Sequence, residues 1–83
     1  MPLITVYEKP YCPACNQTRR LMDKLEIDYT EAPITEETLK FAENRGFTQA
    51  PIVTVYHTGD TIETCQAWDG FRPDRIKQLA DNN

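Results

Sequence analysis

The sequence predicts an α/β domain: a four-stranded mixed sheet flanked by three helices, in the order βαβαββα. Three observations lead there. Apolar, β-rich runs at Leu3–Tyr7 and Ile52–Tyr56 mark two strands. Two other segments carry their apolar residues at helical spacing, and a third, between them, carries helix start and stop signals. Prolines and glycines at Pro13, Pro33, Gly46 and Pro73 punctuate the boundaries. At 83 residues the chain is one domain, spanning 1–83, with a modest core.

Leu3-Ile4-Thr5-Val6-Tyr7 shows no polar alternation, so it reads as a central strand covered on both faces and parallel to a neighbour. From Pro13 to about Glu26, residues Ala14, Thr18, Leu21, Met22 and Leu25 fall on one helical face. Ile27–Ala32 is polar enough for an edge strand, and Pro33 breaks it. Thr35 suits an N-cap, with Glu36 and Glu37 in the first turn where acids complement the dipole. That helix should run to Arg45, with Gly46 left-handed after it and Phe47 packing back on Ala42. Thr58-Gly59-Asp60 turns the chain, so that Thr61–Ala67 returns on Ile52–Tyr56 as a hairpin. Pro73 opens the last helix, whose apolar face is Ile76, Leu79 and Ala80.

A net charge of −4 argues against nucleic acid as a partner. The charge is uneven: residues 1–25 carry Lys9, Arg19, Arg20 and Lys24 against Glu8 and Asp23. A locally positive field there would favour an acidic partner segment; the plainer reading of Arg19 and Arg20 is a solvated helix face. No apolar run approaches the ~20 residues of a membrane span, and the first residues lack a signal peptide's basic flank. No membrane partner and a cytoplasmic location are therefore expected.

The chemistry centres on Cys12-Pro13-Ala14-Cys15, between the first strand and the first helix. Two thiols at this spacing can close one small disulfide ring. Pro13 suits the first helical position, where a missing N–H costs nothing. Cys12 then falls at the N-cap, where free amides and the helix dipole stabilise a thiolate. Cysteines so placed have pKa values of roughly 3.5–7.5. The same spacing also opens many zinc sites, and Cys12, Cys15, His57 and Cys65 make up a Cys₃His set. The topology places His57 at the hairpin tip, far from Cys12, which favours redox chemistry over metal. Cys65 falls on the second hairpin strand, where a free cysteine behaves as a small apolar residue; the alternative is an exposed thiol open to intermolecular pairing.

Taken together, Lys9-Pro10-Tyr11-Cys12-Pro13-Ala14-Cys15, Gln49-Ala50-Pro51 and Trp68-Asp69-Gly70-Phe71-Arg72-Pro73-Asp74-Arg75-Ile76 resemble the NrdH-redoxins, small glutaredoxin-like proteins of the thioredoxin-like fold. The resemblance covers essentially the whole chain, and its most specific part is the segment from Trp68 to Asp74. It implies a monomeric dithiol oxidoreductase with no bound cofactor beyond the redox-active Cys12–Cys15 disulfide. It further implies a class Ib ribonucleotide reductase as electron acceptor and thioredoxin reductase as donor. Pro51 matches the cis-proline of such folds, and a cis bond after Ala50 would turn the backbone outward as an edge for an extended substrate.

Departures from the family keep glutathione open as an alternative reductant. Pro13 after the first cysteine is more typical of glutaredoxins, and Lys9 matches a glutaredoxin position that contacts glutathione. Against glutathione, Ala50 replaces the valine of the glutaredoxin T-V-P motif, and the G-G-x-x-D loop that holds its γ-glutamyl end is not recognisable. Asp69 stands where the NrdH-redoxins usually have Ser. Beside the two catalytic cysteines, the expected partner-binding set is Lys9, Tyr11, Pro13, Ala14, Ala50, Pro51, Trp68, Asp69, Gly70, Phe71 and Arg72. For Trp68 and Phe71 a core-anchoring role competes with docking; for Arg72 the alternatives are bonding the 68–71 loop or a solvated charge.

Overall fold

A computed structural model describes residues 2–81. The elements follow the expected order: β1 (Leu3–Glu8), α1 (Pro13–Lys24), β2 (Thr30–Pro33), α2 (Glu36–Arg45), β3 (Ile52–Tyr56), β4 (Gln66–Asp69) and α3 (Pro73–Asp81). The sheet order is β2-β1-β3-β4. β1 runs parallel to β2 and antiparallel to β3, and β4 returns antiparallel on β3. This is the mixed four-stranded sheet that the strand pattern predicts.

The main core lies on one face of that sheet. The register sets Ile4 opposite Val55 and Val6 opposite Val53, and alternation puts all four side chains on the same side. They are buried with Met22 of α1, Trp68 of β4, and Ile76 and Leu79 of α3. The opposite face of β1 is only partly covered: Thr5 and Tyr7 are half-buried where the apolar run predicts full cover on both sides. There Thr38 and Phe41 of α2 meet Tyr7, Thr54 and Tyr56 around a small cavity of about 90 Å³.

Both ends of α2 are as the sequence predicts. Thr35 Oγ1 accepts the Thr38 amide, Gly46 is left-handed at φ 76°, and the Phe47 amide donates to the Ala42 carbonyl at 2.8 Å. The end of α1 uses the same closure without a glycine to announce it. The Ile27 amide donates to Met22 O at 2.9 Å and the Glu26 amide to Asp23 O at 3.1 Å, with Glu26 itself at φ 57°. This pairing is a Schellman motif, and it packs Ile27 into the core beside Met22. Ile27 is therefore part of a helix end, and β2 starts at Thr30 rather than at Ile27.

The second correction concerns the hairpin. Thr61–Cys65 is a closed turn, and the strand is Gln66–Asp69. Thr64 Oγ1 accepts the Thr61 amide at 2.8 Å, and the Cys65 amide donates to Thr61 O at 2.9 Å. The β-branched residues that look strand-forming here use their hydroxyls to hold backbone, which competes with a sheet ladder. Arg45, at the end of α2, fastens the turn by donating to the carbonyls of Ile62, Glu63 and Cys65. Cys65 thus sits in a turn instead of a strand, and it is buried, as the small-apolar reading requires. Trp68 and Asp69 belong to β4 itself.

Candidate active site

β1 ends at Glu8, and Lys9–Tyr11 carries the chain over to α1. Cys12 occupies the N-cap in extended conformation, Pro13 takes the first helical position, and the Asn16 amide closes the first turn on Cys12 O at 3.1 Å. The Cys15 amide points back at Cys12 Sγ, 3.2 Å away. A thiolate formed on Cys12 therefore already has a backbone donor aimed at it. Cys12 and Cys15 form a disulfide with their Cα atoms 5.2 Å apart, in the range such a bridge needs. Cys12 is 7% exposed and Cys15 1%, so the first sulfur is the one an incoming disulfide can reach. Ala14 is half-buried, while Pro13, Lys9 and Tyr11 are exposed beside it. Tyr11 is fully exposed at φ 57°, a left-handed conformation uncommon for an aromatic residue.

A second loop belongs to the same sheet edge. Ile52, at the start of β3, pairs with Tyr7 near the end of β1 and with Asp69 at the end of β4. The residues before Ile52 therefore lie at the edge from which the dithiol loop springs. Ala50–Pro51 is cis, as the family likeness implies, and Pro51 is fully buried.

The loop before Pro51 is tied to the 69–72 segment. Asp69 Oδ2 accepts the amides of Thr48 at 2.8 Å and Gln49 at 2.9 Å. The Gly70 amide donates to Pro51 O at 2.9 Å. Arg72 Nε donates to Asp69 O at 2.9 Å and Arg72 Nη2 to Asp69 Oδ1 at 3.3 Å. Gly70 is left-handed at φ 74°, and a Cβ on it would strike the Gln49 side chain. The left-handed backbone strains any residue with a side chain there, whereas the Gln49 amide, the end of a flexible exposed side chain, could swing aside.

Of the residues that the sequence offers for partner contact, Trp68, Asp69 and Gly70 are buried, whereas Phe71 and Arg72 are exposed. Trp68 packs in the core with the Arg75 guanidinium 4.9 Å from its ring centroid. Phe71, Arg72, Arg75 and Phe47 line an open groove of about 580 Å³ along β4 and α3. Neither Thr48 nor the motif residue Gln49 shows in the sequence that it is braced by Asp69, because each contributes a backbone N–H.

Burial would raise the Asp69 carboxyl above its ordinary value of 3.8, but the amides of Thr48 and Gln49 and the Arg72 guanidinium outweigh it and hold the group lower. A carboxyl lowered on folding stabilises the native state above its unfolded pKa, and that stabilisation disappears as the pH falls through the folded pKa. The wild-type advantage over Asp69→Asn in urea unfolding should thus be constant above about pH 5 and shrink below the ordinary aspartate range. A pH-independent difference would contradict this role.

Arg19 is not a solvated charge. It pairs with Glu8 and bonds Asn16, and its Nε lies 3.3 Å from Glu31 Oε1. It ties α1 to β1 and β2, and its charge is largely spent there, which weakens the positive field expected around Cys12. Arg20 and Lys9 remain exposed. Lys9, Tyr11 and Cys12 share a groove of about 620 Å³ with this ion-pair cluster. The four candidate zinc ligands are not assembled: among the described residues no three His, Cys, Asp or Glu side chains gather at one point. His57 instead faces Asp60, 3.5 Å from Nδ1.

Residues 4–58 match the glutaredoxin family model. The chain is 32% identical over 78 residues to the glutaredoxin-like protein NrdH of Escherichia coli (strain K12), covering 92% of this chain and 86% of that one. Against the same-named protein of Lactococcus lactis subsp. cremoris the identity is 31% over 81 residues, with 94% and 100% covered. The solved NrdH-redoxin of Escherichia coli, described as having a thioredoxin-like activity profile, superposes with a TM-score of 0.72 at 32% identity over 92% of each chain.

Proposed function

The chain belongs to the glutaredoxin family, with the NrdH proteins as its relatives, and from that premise we propose that it donates electrons to a class Ib ribonucleotide reductase and is recharged by thioredoxin reductase. It is a thiol–disulfide oxidoreductase of thioredoxin-like fold. The observation that carries the chemistry is the Cys15 amide aimed at Cys12 Sγ at the head of α1. In the reduced protein the Cys12 thiolate attacks one sulfur of the acceptor disulfide. A Cys12–substrate S–S bond forms, the acceptor S–S bond breaks, and the departing thiolate takes a proton. Cys15, as thiolate, then attacks Cys12 Sγ and expels the second substrate sulfur. The acceptor has gained two electrons and two protons, and the protein is left with the Cys12–Cys15 disulfide. No bound cofactor enters the cycle.

Tyr11 and Pro13, exposed around Cys12, together with the Ala50–Pro51 edge and Phe71 on the groove rim, suit contact with an extended polypeptide. The kinship with NrdH supports the acceptor, and the thioredoxin-like profile of the Escherichia coli relative supports the donor. Among the described residues no helix is long and apolar enough to cross a membrane, and a reducing cytoplasm suits the cycle. Glutathione is the competing reductant, favoured by Pro13 and the exposed Lys9.

The test supplies NADPH with either thioredoxin reductase or glutathione and its reductase, and follows reduction of oxidised class Ib ribonucleotide reductase. Turnover is expected with thioredoxin reductase. Turnover with glutathione alone would reassign the donor, and reduction of other protein disulfides but not of the reductase would reassign the acceptor.

A further inference from the structure

We infer that Asp69 is a positioning residue: its carboxylate braces the Thr48–Ala50 backbone as a docking edge, and so sets the preference for polypeptide disulfides over small ones. This rests on the reading of Ala50–Pro51 as the substrate edge. The edge is a loop between α2 and β3 with no ladder of its own, and its backbone amides need partners from elsewhere. Asp69 Oδ2 supplies both, at 2.8 Å to Thr48 and 2.9 Å to Gln49. Its other oxygen is held by Arg72 at 3.3 Å, and the next residue, Gly70, holds Pro51 O at 2.9 Å. The edge is thus gripped at both ends by two consecutive residues, Asp69 at the end of β4 and Gly70 just after it.

The carboxylate is buried, so its orientation is set by these bonds and not by solvent. With its amides occupied, the edge presents the remaining backbone of Ala50 in a fixed geometry. A polypeptide substrate that lies along the edge depends on that geometry. A small disulfide that needs only an approach to Cys12 does not. Asp69→Ala removes the three carboxylate bonds and leaves the backbone bonds of Arg72 Nε to residue 69 O and of the Gly70 amide to Pro51 O. Asp69→Asn is the conservative variant: its carbonyl can still accept the two amides, while its NH₂ faces the Arg72 guanidinium.

The experiment uses pre-reduced full-length protein in single-turnover reactions with insulin and with bis(2-hydroxyethyl) disulfide, alongside amide hydrogen exchange. In Asp69→Ala the ratio of the two second-order rate constants should shift against insulin by about tenfold, the value of one charge-assisted hydrogen bond at the edge. Exchange at Thr48 and Gln49 should accelerate more than at the core amides of Val53 and Val55, and Asp69→Asn should fall between Ala and wild type. Equal losses on both disulfides would overturn the proposal, since a fold defect or altered thiol chemistry acts on both. Unchanged exchange at Thr48 and Gln49, or faster exchange with an unchanged ratio, would also overturn it. Wild-type protein that reduced neither disulfide would instead remove the assigned activity itself, a separate outcome.

Discussion

Cys12→Ser should abolish disulfide reduction, by about a thousandfold or more, while Cys15→Ser should stop the cycle with the substrate still attached. The asymmetry follows from burial and from which atoms the substitutions remove. Cys12 is the more exposed of the two cysteines and Cys15 is almost fully buried, so a bulky acceptor is expected to meet Cys12 first. A hydroxyl in its place is a far weaker nucleophile at neutral pH. In Cys15→Ser the donor to Cys12 Sγ is unaffected, because it is the backbone N–H of residue 15. Attack by Cys12 therefore proceeds, but no second thiolate arrives to resolve it. Mass spectrometry after mixing reduced Cys15→Ser with an excess of oxidised protein substrate should show one adduct, located on Cys12. Residual turnover in Cys12→Ser, or an adduct located on buried Cys65, would overturn the assignment of Cys12 as the attacking sulfur.

What could be read from the chain, and what could not, divides by the range of the interaction. The cap at Thr35, the left-handed Gly46, and the prolines that open α1 and α3 depend on neighbours within a turn, and each stands where local chemistry puts it. The dithiol at a helix start is equally local. The end of α1 carries no such local mark, because Glu26 does the work usually done by glycine. Nor does the turn at Thr61–Thr64, because hydroxyl-to-backbone bonding and strand formation draw on the same residues. Asp69 is the clearest case. Its amide partners lie 21 and 20 residues earlier, and a lone acid beside an aromatic core residue carries no signal of them. Arg19 likewise finds Glu8 11 residues away. Long-range polar pairing of this kind is set by the register of the sheet, and the sheet register comes from the apolar pattern.

Trp68 separates core from docking more sharply than any other residue in the site. The indole is 3% exposed and packs with Val53, Ile76 and Leu79 in the main core. Truncation to alanine should cost about 3–5 kcal/mol. Against a total of about 5–15 kcal/mol for a domain, with a small chain toward the lower end, Trp68→Ala should be largely unfolded in moderate urea. Trp68→Phe is the discriminating partner. It keeps most of the apolar ring and also removes the indole N–H, which is buried and has no hydrogen-bond partner among the described residues. Leaving such a group unpaired costs about 1–3 kcal/mol, so its removal offsets part of the lost packing. The phenylalanine variant should lose less than about 2 kcal/mol. Because Trp68 is the chain's one tryptophan, unfolding has to be followed by far-ultraviolet circular dichroism rather than by indole fluorescence. A ring serving mainly as a docking surface predicts the opposite pattern: Trp68→Ala near wild-type stability, with both variants impaired in partner reduction. The register of β4 on β3, Trp68 opposite Val53, turns the ring inward and makes stability the quantity that falls first.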